Sequence, residues 1–159
     1  MKFRAGIGQD SHRFLPDGAD KKCIIAGLVF EDAPGMDADS DGDVVFHAIC
    51  NAITSLTHVP ILGRIAIDLC HKQGITDSRV YLEKALATLG GQKIEHIALT
   101  IEGKRPKFQK RSLEIRQSVA EVAKLDVDQV GITFTSGDGL TSFGKGEGLM
   151  CYAVVTTFQ

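Results

Sequence analysis

The sequence predicts a single layered domain over residues 1–159, with helices packed on a mixed β-sheet. A chain of 159 residues has room for one hydrophobic core. Segments with the two-residue period of strands alternate with segments of helical period, in the order β-β-α-α-β-α-β-β. Separated strands with intervening helices favour an α/β or an α+β arrangement, and periodicity does not separate the two.

The N-terminal part supplies two strands and the first helix. Residues 3–7 alternate apolar with polar or small side chains, which is typical of a strand, and residues 23–30 predict a second, more buried strand. A helix is predicted over residues 44–56. Ser40 is its expected N-cap, with Asp43 three residues on in a variant of the capping box.

The C-terminal part is predicted to alternate helices and strands. Asp77 is the expected N-cap of a helix that reaches Leu89 and that Gly90 and Gly91 would end. The other predicted elements are a strand at 94–101, a helix at 106–124, a strand at 130–134, a glycine-rich loop at 137–148 and a strand at 149–157.

Composition argues against several classes of protein. The formal net charge of −2 gives no bulk attraction to nucleic acid, and no apolar run approaches the length of a membrane helix. Residues 1–4 lead into a strand without the features of a signal peptide. The four cysteines form no C-x-x-C pair, so we expect reduced, apolar fillers and a cytoplasmic location.

Asp10, His12 and His47 are the candidate metal ligands. Residues two apart in a strand share a face, so Asp10 and His12 can point at one ion, while the predicted helix fixes the direction of His47. Two imidazoles and one carboxylate hold a divalent transition metal and leave a position open for substrate. These residues alone also fit an alternative without a metal. In it, Asp10 and His12 lie on the surface, and His47 is a helix residue whose hydrogen bonds are satisfied within the protein.

The acidic stretch Asp39-Ser40-Asp41-Gly42-Asp43 resembles the beginning of a calcium-binding loop. It lacks the glutamate at the far end, and an apolar helix follows at once. Capping and hydrogen bonding within the loop are therefore the favoured roles.

Two further segments could contact an anion. The loop at 136–148 is dense in glycine and contains Lys145, but it does not satisfy the Walker A pattern because Gly146 follows the lysine. Residues 104–107 form a basic turn. Taken by itself, the glycine loop is better explained as a flexible, hairpin-like connection. The basic turn could hold a phosphate or simply be solvated.

Taken together, the motifs resemble one family, 2-C-methyl-D-erythritol 2,4-cyclodiphosphate synthase. Gly8-Gln9-Asp10-Ser11-His12 matches the family's G-x-D-x-H pattern, and residues 40–48 match most of H-S-D-G-D-V-x-x-H-A. Asp77-Ser78-Arg79, Arg105-Pro106-Lys107 and residues 144–148 add weaker support in the same order. The resemblance covers essentially the whole chain.

The resemblance implies a single α+β domain with a single-layer mixed sheet, helices on one face, and a homotrimer with its sheets around a central axis. The implied enzyme is a metal-dependent phosphorus–oxygen lyase of the non-mevalonate isoprenoid pathway. It converts 4-diphosphocytidyl-2-C-methyl-D-erythritol 2-phosphate to 2-C-methyl-D-erythritol 2,4-cyclodiphosphate and CMP. The implied compartment is the cytoplasm, or a plastid-type compartment after removal of a transit peptide.

The resemblance also assigns cofactors and roles to residues. Asp10, His12 and His47 would hold zinc, or manganese or cobalt, and a second Mg²⁺ or Mn²⁺ would accompany the substrate diphosphate. Asp39 and Ser136 take catalytic positions. Lys145 lines an axial cavity that can hold an isoprenoid diphosphate. The remaining residues assigned to the substrate are Ser40, Gly103, Lys104, Arg105, Pro106, Lys107, Phe108, Thr135, Gly137 and Asp138.

This chain departs from the family patterns at four places. Asp39 stands where the pattern has a histidine, and the pattern D-I-G-x-x-F-P-D aligns with residues 64–71, which end in His71. The pattern T-T-T-E aligns with residues 135–138, and Lys145 replaces an arginine. An aspartate beside a phosphate would repel it, so we hypothesise that Asp39 holds a cation or orders its loop.

Two rival functions fit the same residues. One is a metal-dependent phosphoesterase that activates water at the open metal position. The other is a non-catalytic trimeric protein that binds cytidine nucleotides or isoprenoid diphosphates. Release of CMP and the form of the second product distinguish the three.

Overall fold

The computed structural model describes residues 1–159 as ten regular strands and helices. In chain order they are β1 (Phe3–Arg13), β2 (Lys22–Ile25), β3 (Leu28–Pro34), α1 (Val44–Thr57), α2 (Arg64–Gln73), α3 (Ser78–Ala87), β4 (Lys93–Glu102), α4 (Ser112–Ala123), β5 (Val130–Thr135) and β6 (Gly148–Phe158).

Four strands form the main sheet, in the order β1-β6-β4-β5. The strand β6 runs antiparallel to both β1 and β4, whereas β4 and β5 are parallel. The strands β2 and β3 form a separate antiparallel hairpin. The predicted mixed sheet is confirmed.

The helices cover one face of this sheet. Alternate residues of β6 are buried beneath them, and the helices α1 and α4 pack on β1, β6 and β5. On the opposite face Phe3, Ile7 and Tyr152 are 67%, 61% and 43% exposed. The implied single-layer architecture with helices on one face is therefore confirmed.

Two glycines let α1 lie directly on β1. A Cβ atom at Gly8 would lie 2.1 Å from the backbone oxygen of Ala48, and one at Gly6 would lie 2.2 Å from that of Ala52. Real Cβ atoms do not approach so closely, so the strand and helix backbones are in contact at these two positions. This contact sets the height of α1 above the end of β1.

Asp43, not Ser40, is the N-cap of α1, so the prediction for Ser40 is wrong. The Asp43 carboxylate accepts hydrogen bonds from the amides of Val45 and Phe46, at 3.1 and 3.2 Å. The Ser40 hydroxyl instead accepts from the amide of Gly42 within the preceding loop. The helix begins only at Val44, one residue after its cap.

The prediction of one strand at 23–30 is wrong, and the Asp43 carboxylate contacts the turn that divides it. That segment is a hairpin, because Ala26 and Gly27 have positive φ angles of 52° and 71° and turn the chain. The Asp43 carboxylate accepts from both of their amides, at 2.9 and 2.7 Å. The turn is not predictable from this apolar segment, because the side chain that accepts from its amides lies sixteen residues beyond Gly27.

Two predicted helices differ in length from the structure, and one helix was not predicted. The helix predicted at 106–124 begins only at Ser112, after a cis Arg105–Pro106 bond and a 3₁₀ turn, Gln109–Arg111. The helix predicted to reach Leu89 ends at Ala87, although its expected cap is confirmed: the Asp77 carboxylate accepts from the amide of Arg79 at 2.9 Å. The helix α2 was not predicted, because Leu69 is its only buried residue.

Candidate metal centre and its cavity

The candidate ligands come from the end of β1 and the first turns of α1. Asp10 and His12 are two residues apart in β1, where they pair with Cys151 and Leu149 of β6. Both partners are buried beneath the helices, so the two ligands face the helical side of the sheet. His47 comes down onto them from α1.

The three side chains converge, as the sequence predicts. The carboxylate Oδ2 of Asp10 lies 3.0 Å from Nε2 of His12 and 3.2 Å from Nδ1 of His47. The two ring nitrogens lie 3.3 Å apart, and all three donor atoms fall within 4.8 Å of one another. Two nitrogens and one oxygen in this arrangement suit a divalent metal with a coordination position left open.

Burial and pairing act in opposite directions on these groups. Burial raises the pKa of Asp10, but hydrogen bonds with His12 and His47 outweigh it and leave that pKa below its ordinary value. Burial lowers the pKa of His47, but the hydrogen bond and charge of Asp10, with the charges of Asp43 and Asp41, raise it overall. The carboxylates around the three ligands therefore make the electrostatic environment of the centre favourable for a cation.

A hydrogen-bond chain holds the other side of the His47 ring. Its Nε2 lies 2.8 Å from the hydroxyl of Ser78, which is fully buried and hydrogen-bonds in turn to the carboxylate of Asp41. Asp41 also accepts from the amide of Ser78 at 2.9 Å. Because Ser78 donates its hydroxyl hydrogen to Asp41, its oxygen accepts from Nε2–H of His47. The unprotonated Nδ1 of His47 is then available as a ligand for an ion.

This role of Ser78 is not predictable from periodicity, because the contact joins residues 31 apart. The serine stands out only as part of Asp77-Ser78-Arg79. The favoured role of the acidic loop is supported, since Asp41 and Asp43 both accept hydrogen bonds from backbone amides.

The centre opens into a cavity of about 270 Å³. The acidic loop and α2 form its walls, and Asp39 and Ser40 lie among the lining residues together with the three ligands. The rest of the lining is Ala38, Leu62, Gly63, Ala66, Ile67, Cys70, His71 and Tyr81. A larger cavity, of about 600 Å³, lies beside the β2–β3 hairpin and contains none of the ligands.

Asp39 and His71 form a second pair within this cavity. The Nε2 atom of His71 lies 2.9 Å from Oδ2 of Asp39. The thiol of Cys70 donates to the backbone oxygen of Asp39 at 3.4 Å. Sequence reasoning singled out Asp39 but not His71, because the helix α2 that carries His71 was missed.

Residues 103–108, which the resemblance assigns to the substrate, lie away from this cavity. Arg105 pairs with Asp17 at 2.7 Å and covers the ring of Phe14, while the amide of Lys107 donates to Asp32. Phe108 is buried and stacks on Phe134. The backbone amides of Gly103 and Lys104 donate to Thr135 and Phe143, and Pro106 follows the cis bond. Within one chain the structure does not bring this group to the metal ligands.

The glycine loop is likewise separate from the cavity. Ser136 caps a 3₁₀ turn, Gly137–Gly139, and its hydroxyl accepts from the amide of Asp138. The hydroxyl of Thr135 accepts from the amide of Gly137. Lys145 donates its amide to Thr141. The loop approaches the centre only through a space of about 220 Å³ that His12 shares with Ser142, Phe143 and neighbouring residues.

Fold and centre together define an α+β protein with a His₂Asp metal site beside a ligand-sized cavity. Residues 3–158 match the family model described as the YgbB family, and the chain belongs to that family.

Relatives and solved structures agree with this assignment. The 2-C-methyl-D-erythritol 2,4-cyclodiphosphate synthase of Chlamydia caviae is 55% identical over 158 residues, which are 99% of this chain and 90% of that protein. A solved 2C-methyl-D-erythritol-2,4-cyclodiphosphate synthase in a CDP-bound form is 28% identical, with a TM-score of 0.78 over 98% of this chain and 100% of that one. The bifunctional IspDF of Campylobacter jejuni shares the fold, with a TM-score of 0.87 at 23% identity; 98% of this chain matches 42% of that one.

Among the helices, none combines the length and apolar character needed to cross a bilayer. All four cysteines are free thiols, and Cys23, Cys50 and Cys151 are buried among apolar residues, as the sequence predicts. Cys70 is the exception, since it lies half-buried at the cavity.

Proposed function

We propose that this chain is a metal-dependent phosphorus–oxygen lyase. It converts 4-diphosphocytidyl-2-C-methyl-D-erythritol 2-phosphate to 2-C-methyl-D-erythritol 2,4-cyclodiphosphate and CMP, a step of non-mevalonate isoprenoid biosynthesis. The observation that carries the proposal is the convergence of Asp10, His12 and His47 at a cavity, in a chain 55% identical to a synthase of that name.

The reaction requires no nucleophile from the protein. An oxygen of the substrate's 2-phosphate bonds to the β-phosphorus, the bond from that phosphorus to the oxygen bridging to the α-phosphate breaks, and CMP leaves with that oxygen. Holding both phosphates in one orientation supplies much of the rate. This suits a cavity in which Ala66, Ile67 and Cys70 of α2 lie beside the candidate metal centre and the Asp39–His71 pair.

Asp10, His12 and His47 are proposed to hold zinc, with manganese or cobalt as alternatives. An ion bound there supplies Lewis-acid neutralisation of phosphate oxygens. Elemental analysis of the purified protein should find about one transition-metal ion per chain, as three protein ligands require. His47→Ala should lose most of it, while His96→Ala, a strand histidine distant from the ligands in sequence, should retain it. Retained metal in His47→Ala would remove His47 from the site.

The substrate's nucleotide is proposed to bind the basic turn, through Gly103, Lys104, Arg105, Pro106, Lys107 and Phe108. Thr135, Ser136, Gly137 and Asp138 are proposed to contact the diphosphate, with a second Mg²⁺ or Mn²⁺ beside it. The CDP-bound relative supports a cytidine ligand for this fold. Ser136 and Asp138 are exposed, so both are free to contact a ligand.

These residues are separate from the metal cavity within one chain, which supports a site completed by a second chain. We propose a homotrimer with its sheets around a central axis, with Lys145 facing an axial cavity for an isoprenoid diphosphate. The exposed apolar sheet face supports this assembly. Light scattering should give the mass of three chains. Ile7→Asp should reduce that mass, and Leu113→Asp, a 55% exposed position on α4 rather than on the sheet, should not.

Product analysis tests the activity. Incubation with the cytidylyl substrate should release CMP and a cyclic diphosphate in equal amounts, visible by phosphorus NMR. CMP with an open-chain product would show a phosphoesterase, and tight binding without CMP would show a binding protein. The four free thiols support a reducing compartment such as the cytoplasm.

A further inference from the structure

The cavity contains one histidine that is not a metal ligand. His71 lies in the last turn of α2, and its Nε2 contacts the Asp39 carboxylate at 2.9 Å. The other ring nitrogen, Nδ1, has no hydrogen-bond partner in the protein. The ring is 56% exposed and lines the same cavity as the metal ligands. It is therefore open to a ligand bound beside the metal.

Asp39 is held in place on both sides. The ammonium group of Lys21 donates to the backbone oxygens of Ala38 and Ser40, both at 2.6 Å, and these residues flank Asp39. The thiol of Cys70 donates to the backbone oxygen of Asp39 itself. The carboxylate therefore projects from an anchored loop and can set the direction of the His71 ring.

The charges of the residues that line the cavity indicate a role for the His71 ring. The lining contains the acids Asp10 and Asp39 but no lysine and no arginine. His12 and His47 belong to the candidate metal centre. For a substrate with several phosphate groups, His71 is then the one lining side chain that can add positive charge to that of the metal.

A structural role does not explain the pair. Both side chains are largely exposed, and an ion pair of that kind adds little to the stability of a fold. Both positions are also among the departures from the family patterns that the resemblance indicates: Asp39 aligns with a histidine, and His71 aligns with an aspartate. The structure shows that these exchanged positions are in contact.

We propose that His71 carries a hydrogen on both ring nitrogens, donates from Nε2 to Asp39 and donates from Nδ1 to a phosphate of the metal-bound substrate, and that Asp39 is the positioning residue that orients its ring. The carboxylate stands behind the ring, where its charge is turned away from the phosphate. This inference rests on the proposed function, because it needs a phosphorylated substrate at the metal.

The test compares His71→Gln, Asp39→Asn and the exchanged variant Asp39→His/His71→Asp. Asp68→Asn is the matched control, because it breaks a pair with Lys72 on the same helix, at 2.9 Å and outside the cavity lining. Metal content and melting temperature are measured for each variant, with kcat and KM and with the affinity of the zinc-loaded protein for inorganic phosphate.

His71→Gln and Asp39→Asn should each lower kcat/KM by roughly 10- to 100-fold, as expected for loss of a hydrogen bond to a charged group. Phosphate affinity should fall in the same variants, while metal content and melting temperature match the control. The exchanged variant should lose less kcat/KM than the combined losses of the two single variants predict. Recovery would show that the contact, and not either residue alone, is required.

Wild-type behaviour in both assays for His71→Gln would overturn the inference and leave the proposed function standing. If the wild-type protein releases no CMP, the proposed function fails, and phosphate affinity alone decides the role of the pair. Loss of metal in His71→Gln would also overturn the inference, because it would place His71 among the ligands.

Discussion

The hydroxyl of Ser78 lies 2.8 Å from Nε2 of His47, on the side of the ring opposite Asp10. Ser78 is the first residue of α3, and its hydroxyl passes the contact on to Asp41. The orientation of a metal ligand in α1 is thus set by the beginning of another helix.

Ser78→Ala should weaken zinc binding by roughly 10- to 100-fold, because the partner that fixes the ring and its tautomer is lost. Competition with a chromophoric chelator measures the affinity directly. Thr157→Val is the matched control, since that buried hydroxyl donates to the side chain of Gln92 near the C-terminal end of β6, away from the ligands. Equal zinc affinity in Ser78→Ala and Thr157→Val would show that Ser78 has no part in the centre.

Zinc affinity should fall as the pH falls through the pKa of His47. Burial lowers this pKa, but Asp10, Asp43 and Asp41 raise it above the ordinary value of 6.5. A proton and the metal compete for Nδ1, so below the raised pKa the proton wins increasingly, and above it affinity levels off. Chelator competition across pH 5 to 9 checks the direction. An affinity that stays level until well below pH 6.5 would contradict the shift.

Gly8→Ala should destabilise the protein and disturb the metal centre together. The new Cβ would lie 2.1 Å from the backbone oxygen of Ala48, one residue from His47, so α1 must move away from β1. Overpacking of this kind costs about 1–3 kcal/mol of unfolding free energy. Denaturant unfolding and zinc content measure the two effects.

Gly91→Ala is the control for that experiment, because its Cβ would meet only the side chain of Gln159, at 3.5 Å. It should leave both quantities close to wild type. A stable Gly8→Ala protein with a full metal complement would mean that the strand–helix contact does not set the ligand spacing.

Cys70 should be the thiol that reagents reach in the folded protein. Burial raises the pKa of Cys23 to about 12 and raises those of Cys50 and Cys151 still further, so these thiols stay protonated and unreactive at pH 8. A thiol-reactive dye should label one site per native chain and four in denaturant. Cys70→Ser should abolish the native reaction; rapid labelling of the variant would show that the core opens readily.

Part of the centre follows from sequence alone. Asp10 and His12 share a strand face because strands repeat every two residues, and the helix fixes the direction of His47. Convergence of the three needed the glycine contact between β1 and α1, which a periodicity argument does not supply. Motif order, rather than any single motif, predicted the family.

The missed features depend on contacts between distant residues. The helix α2 carries Ile65 and Ile67 on exposed positions, so its sequence lacks the buried stripe from which helices are predicted. Because α2 was not predicted, the contact between Asp39 and His71 could not be predicted either. Ser40 is the expected cap because it and Asp43 fit a variant of the capping box. The buried Asp43 carboxylate instead caps the helix and also accepts from the amides of the hairpin turn.

The Asp43 carboxylate joins the β2–β3 turn to the first turn of the helix that carries His47. Local opening of the hairpin therefore breaks hydrogen bonds at the base of that helix and loosens a metal ligand. By reciprocity, a tightly bound ion protects amides that it never touches. Hydrogen–deuterium exchange at Ala26 and Gly27 should slow on zinc loading, so two peptide groups of the hairpin turn report the occupancy of the metal centre.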